Sequence, residues 1–288
     1  MTATARRPAV DQLNVAVRRA AEVRRSAVNS LRVPVNPYEM CDRRGLSIRF
    51  HDTPSLDGMY CKGKGIFLPS VGHRPAGRLR FTCAHELGHH LLGHGTKVDE
   101  YVKDPDRAHR RSPDERAADA FARNLLMPKP AVVAAMTRRG ASWGAAGPRD
   151  VFVAAGELGV GYETLLRQAK SLRLLSPARF ESLRRIRPKA IRAGICGEAA
   201  GVGLIVADRH WAGGAVELRV GDRLLLEAAE QNLAAPVADE GDRDGMRLLR
   251  ASTPGEGSIK LDDGALPVRV CRAGYVGLRK HMFKPEAD

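Results

Sequence analysis

The chain has 288 residues, 43% of them hydrophobic and 28% charged, enough for one or two buried cores, and no apolar run reaches the length of a membrane span. Five cysteines (Cys41, Cys61, Cys83, Cys196, Cys271) are odd in number, widely spread and without a C-x-x-C, which excludes a disulfide framework and suits a reducing compartment. A formal charge of +14 draws polyanions, nucleic acid among them, yet the arginines are scattered as they are on ordinary solvated faces.

The N-terminus, MTATARRPAVDQLNVAVRRAAEVRRS, has no apolar h-region, so no secretory leader is expected and the cytoplasm is the default. Val10 to Leu31 reads as an amphipathic basic helix. PVNPYEMCDRRGLSIRF marks a boundary with its prolines, then predicts a short helix from about Tyr38 and a strand from Leu46 to Phe50. MYCKGKGIFLPS predicts a hairpin around Gly63 and Gly65. Arg78 to about Leu92 is helical. After a polar loop, Ser112 and Pro113 suit the cap and first position of a helix that stops at Pro128. Further helices are expected to about Leu175. Past the basic run ESLRRIRPKAIRAG the texture changes. From about Ala193, GVGLIVAD, AVELRVGDRLLLEAAE and LPVRVCRAG read as strands, with Val216, Leu218 and Val220 alternating with polar residues. VADEGDRDG, from Val237, reads as a mobile loop. The pattern predicts an α+β protein: a mainly helical domain with a small sheet over 1–130, a helical segment over 131–192, and an all-β domain over 193–288.

The stretch RFTCAHELGHHLLGHG holds four of the nine histidines within ten residues. His85 and His89 are one helical turn apart, about 40° in projection, so both imidazoles can reach one ion. Glu86 projects beside them, where it can hold a water on that ion. This H-E-x-x-H pattern serves metal-assisted hydrolysis. Phe81, Leu87, Leu91 and Leu92 are expected to anchor the helix, and Gly88 to leave room above the metal. A catalytic zinc needs a third protein ligand and an open position. His90 is about 100° round from His89 and leaves that face. His94 misses the metzincin register by one residue, so capping of the helix end or a surface role is expected of it instead. SPDERAADAFARNLLMP is the better source. Glu115 and Asp119 are again a turn apart, so one can ligate while the other accepts a histidine N–H. An amphipathic helix with two exposed acids would look similar. Phe121 and Leu125 are expected to anchor it.

FTCAHELGHHLLGH followed by ERAADAFARNLLMP resembles the ImmA/IrrE family of gluzincin-like metallopeptidases, and the resemblance covers roughly the first 175 residues. It implies a zincin-like domain with Zn2+ held by His85, His89 and Glu115, and Glu86 as general base; Asp119 then orients a histidine. It departs at one place: many members read E-x-E-A-[ND]-x-F-A, and the second acid is here Ala117. The spacing from Glu115 to Asp119 survives. The implied activity is site-specific endopeptidase cleavage of a helix-turn-helix repressor in a stress or mobile-element response. The alternative is a DNA-binding regulator whose zinc site is structural or silent; an intact Glu86 favours the enzyme, since a structural site has no use for a base. Tyr60, Tyr101 and His109 are candidate oxyanion donors.

VAAGELGVGYETLLRQAKSL has helix-turn-helix spacing at Ala155, Gly159, Val160 and Leu165, with Arg167, Gln168 and Lys170 as the residues that would read DNA. A helical hairpin completing the protease core would read the same way. Cys61 and Cys83 are expected near the metal, more as small hydrophobes than as reactive thiols. Recognition of a partner or signal is the role expected of the β domain. Its removal from Ala193 is expected to leave the metal site folded.

Overall fold

The structure, a computed structural model, describes residues 6–53, 55–72, 74–100, 112–197, 203–227, 233–261 and 264–284. It divides into two compact units. One comprises Met1–Leu31, Val35–Lys129 and Val276–Arg279; the other comprises Arg32–Pro34, Pro130–Tyr275 and Lys280–Asp288. The helical and β-rich segments that follow Lys129 fall in one and the same unit.

The first unit is built from α1 (Arg6–Val28), α2 (Pro37–Asp42), β1 (Ile48–His51), β2 (Leu56–Cys61), β3 (Gly65–Pro69), α3 (Ala76–Leu91), β4 (Lys97–Glu100) and α4 (Pro113–Leu126). β2 and β3 form the expected hairpin, with Gly63 at φ +80° in its turn. β1 runs parallel to β3, β4 antiparallel to β2. A strand from the far end of the chain, Gly277–Leu278, pairs antiparallel with β1 through Arg49 and Phe50 and closes that edge of a five-stranded sheet. Beside it Arg279 is buried, its guanidinium 4.3 Å over the Tyr38 ring. The unit that holds α3 therefore includes residues beyond 193, which counts against the expectation that removal from Ala193 leaves the metal site folded.

Helix α4 starts where sequence placed it. Ser112 accepts a hydrogen bond from the Glu115 amide at 3.2 Å, and Pro113 occupies the first turn. Phe121 and Leu125 are fully buried, as is Leu87 of α3, whereas Phe81, Leu91 and Leu92 are only partly so. Arg24 of α1 is fully buried and donates to the Leu125 carbonyl, one of the acceptors left open at a helix C-terminus. Burial lowers that guanidinium to about 10.

The second unit begins with α5 (Lys129–Thr137), α6 (Pro148–Leu158), α7 (Tyr162–Ser171), α8 (Pro177–Arg184) and α9 (Pro188–Cys196). Helix thus continues about twenty residues past Leu175. The strands β5 (Leu204–Ala207), β6 (Val216–Arg219), β7 (Arg223–Leu226), β8 (Leu233–Ala234), β9 (Val237–Arg243), β10 (Met246–Ala251), β11 (Gly255–Leu261) and β12 (Gly264–Cys271) follow. They make two four-stranded sheets, β5-β7-β10-β9 and β6-β12-β11-β8. Leu224, Leu226 and Leu249 from the first and Val216, Leu218, Ile259 and Val268 from the second meet in a single core, the arrangement of a sandwich. The stretch from Val237 is strand β9 rather than a loop. It is a polar edge strand, which carries no apolar alternation to announce it. Glu157 of α6 is fully buried and bonded to Arg138, to Arg139 at 2.6 Å and to the Ala212 amide at 3.0 Å. Arg139 also bridges to Asp208 after β5 at 2.6 Å, so the helices and the strands of this unit are tied by buried ion pairs.

Candidate metal centre

Helix α3 turns one face towards α4, and the chemistry collects between them. The Nε2 atoms of His85 and His89 lie 3.0 Å apart. Glu115 brings one carboxylate oxygen to 3.1 Å from His85 Nε2 and the other to 3.4 Å from His89 Nε2. Both rings are buried. Among the described residues these three side chains form a group able to hold a metal ion, their ligand atoms all within 4.8 Å of one another.

The rings are oriented from behind. His85 Nδ1 is 3.0 Å from Asp119 Oδ1. An ionised carboxylate only accepts, so the proton sits on Nδ1 and the Nε2 lone pair faces Glu115 and His89. Lone pairs and a carboxylate converging on one point repel unless a cation lies among them. The donor set therefore fits zinc, which takes imidazole nitrogen and carboxylate oxygen. Burial pushes the Glu115 carboxyl up. The hydrogen bonds and charge of His85 and His89 outweigh that and hold it well below the usual carboxylate range.

Ala117, the departure from the family pattern, is buried, and the group of His85, His89 and Glu115 forms without a carboxylate at that position. Gly88 does something other than expected. A Cβ there would stand 3.1 Å from Phe121 Cδ1 and 3.3 Å from the Ala118 Cα, so the glycine lets α3 and α4 approach rather than opening space above a metal. His90 pairs with the Tyr60 hydroxyl at 3.0 Å. Tyr60 is thus engaged away from the histidine pair; the other two oxyanion candidates, Tyr101 and His109, lie outside the described residues. Cys83 is buried, its sulfur 3.9 Å from that of Cys41, and burial, then the neighbouring Cys41, pushes its thiol well above the ordinary value.

Two features were missed in the sequence, the role of Gly58 and the pairing of His94 with His89. Glu86 is completely buried under β2, and the place it occupies exists because residue 58 is glycine. A Cβ on Gly58 would lie 3.2 Å from Glu86 Cδ, closer still to its Oε1, and 2.5 Å from Thr82 Cγ2. No local pattern links a strand glycine to a helix 28 residues on. The second is His94. It is not in the metal group; its Nδ1 lies 2.8 Å from His89 Nδ1, behind that ring. Its own Nε2 is 3.6 Å from Asp114 Oδ1, and Asp114 is held by Lys97 at 2.9 Å. That hydrogen bond from Lys97 keeps the Asp114 carboxyl below its usual range, and burial pushes the His94 imidazole down.

In the second unit, Gly159 is left-handed at φ +67° between α6 and α7, and Leu165 is buried. The residues offered as DNA readers are engaged within the protein. Arg167 pairs with Glu163 at 2.5 Å, Gln168 is buried, and Lys170 stands 4.3 Å over the Phe180 ring of α8.

A helix bearing H-E-x-x-H, completed by a carboxylate from the next long helix, is the donor arrangement of a metal-dependent hydrolase. Residues 41–170 match the family model described as the IrrE N-terminal-like domain, which supports a likeness of this part of the chain to the ImmA/IrrE family of metallopeptidases. No curated protein matches the chain.

Proposed function

We propose that the protein is a zinc-dependent endopeptidase of narrow specificity, with His85, His89 and Glu115 as ligands and Glu86 as general base. The observation that carries this reading is the His85–His89–Glu115 group, whose ligand atoms converge within 4.8 Å, with Glu86 of the same helix turn fully buried and accommodated by a glycine on the facing strand. Zinc, when bound, polarises the substrate carbonyl and lowers the pKa of water from 15.7 towards about 7. Glu86 takes the proton of the attacking water and returns it to the leaving amine. Asp119 holds the His85 ring in its ligating tautomer.

The substrate we propose is a folded helix-turn-helix repressor, and the compartment the cytoplasm. The rival reading, a DNA-bound regulator, draws less support because Gln168 is buried and Lys170 lies over the Phe180 ring, which leaves Arg167 as the one exposed side chain of the three. Incubation of the zinc-loaded chain with a helix-turn-helix repressor from its own genome, and separately with casein, tests the proposal. A single cut in the repressor, none in casein and none by Glu86→Gln is expected. Broad digestion of casein, or cleavage by Glu86→Gln at the wild-type rate, would exclude it.

A further inference from the structure

We infer that His94 and Asp114 are positioning residues for the metal, selecting the tautomer in which His89 can bind it. The inference rests on the zinc reading above and extends it to residues five positions beyond the H-E-x-x-H and one before Glu115.

The starting point is the end of α3. Gly93 adopts φ +75°, the left-handed conformation that stops a helix. The His94 amide then donates to the His89 carbonyl at 3.0 Å, and the Gly93 amide to the His90 carbonyl at 3.3 Å. This pair of bonds is the Schellman motif, and it folds the chain back on the last turn. The His94 ring is carried behind the His89 ring, edge to face at a centroid distance of 5.0 Å.

Two Nδ1 atoms 2.8 Å apart share one proton, and which ring owns it decides whether His89 is a ligand. If His94 donated, His89 would have to carry its proton on Nε2, pointing at His85 and Glu115, and could not ligate through that atom. Asp114 breaks the tie. Its carboxylate lies 3.6 Å from His94 Nε2, too long for a direct hydrogen bond but close enough to favour an N–H there. Lys97, at 2.9 Å, fixes the carboxylate in place. With the proton on His94 Nε2, His94 Nδ1 accepts, His89 Nδ1 donates, and the His89 Nε2 lone pair faces the site. His89 thus receives from an Asp114–His94 relay what His85 receives directly from Asp119. Partners of this kind are worth roughly 10–100-fold in metal affinity.

The test is a zinc titration of the metal-free, full-length protein against a chromophoric chelator, with thermal unfolding of the same metal-free samples. His94→Ala is expected to weaken zinc binding about tenfold or more, with the unfolding of the metal-free protein close to wild type. His94→Asn puts an acceptor oxygen near the place of Nδ1 and is expected to recover most of the affinity; His94→Leu, which has none, is not. Wild-type affinity in His94→Ala would overturn the relay. So would equal losses in the Asn and Leu variants accompanied by destabilised metal-free protein, because His94 would then only pack. A wild-type protein that takes up no zinc would instead overturn the metal reading beneath it, and the relay with it.

Discussion

Gly58 lies against Glu86, and the buried carboxylate fits under β2 only because that strand residue has no side chain. Its backbone dihedrals need no glycine, so the constraint is steric and lies at the carboxylate proposed as general base. Gly58→Ala should displace Glu86 and leave the ligands on their helices. Peptidase activity should fall by at least about 100-fold, the scale of a lost general base, with zinc content unchanged. Full activity in this variant would show that Glu86 has another place to go.

The strand Gly277–Leu278 and Arg279 belong to the first unit, so a chain ending at 192 lacks the partner of β1 and the cation over Tyr38. Such a truncation should unfold at lower denaturant and hold zinc more weakly than the full chain. Arg279→Ala alone should cost about 1–2 kcal/mol. A truncated chain with wild-type stability and zinc affinity would mean the returning strand is dispensable.

Glu157 is fully buried among Arg138, Arg139 and the Ala212 amide. Its replacement by Gln leaves Arg139 with Asp208 as its only carboxylate and takes the counter-ion from the partly exposed Arg138, a change that costs up to about 3–5 kcal/mol when a buried pair is broken. Denaturant unfolding of Glu157→Gln should show a loss on that scale with zinc content intact. A loss below about 1 kcal/mol would rank the network with ordinary surface pairs.

Four of the five cysteines are buried, and Cys61 is half-exposed. Burial, with Glu217 and Asp222 adding to it, pushes the Cys271 thiol up to about 12, and burial also raises Cys83 and Cys196. Since the thiolate is the reactive form, a chromogenic disulfide reagent at neutral pH should titrate one thiol quickly in the native protein and all five in denaturant. Rapid reaction of Cys41 or Cys83 would place their pair nearer solvent than the fold does.

What could be read in advance follows from the range of the interactions. His85, His89, Glu115 and Asp119 repeat with helical spacing on two helices, so periodicity alone put each pair on one face. Ser112 and Pro113 announced α4 for equally local reasons. His94 was not legible as a partner of His89, because the five-residue step is joined by a Schellman turn and not by helical period. Gly58 reaches Glu86 across the sheet–helix interface, and Arg139 reaches Asp208 across 69 residues, neither of which leaves a local trace. The strand β9 was hidden by its polarity, and the return of Gly277–Leu278 to β1 by its brevity.

The account turns on one metal centre, and zinc stoichiometry measures it most directly. Elemental analysis of the purified wild type, Glu86→Gln, His89→Ala and Glu115→Ala, with folding checked by circular dichroism, should give about one zinc per chain in the first two and little or none in the last two. Full zinc in both folded His89→Ala and folded Glu115→Ala would contradict it.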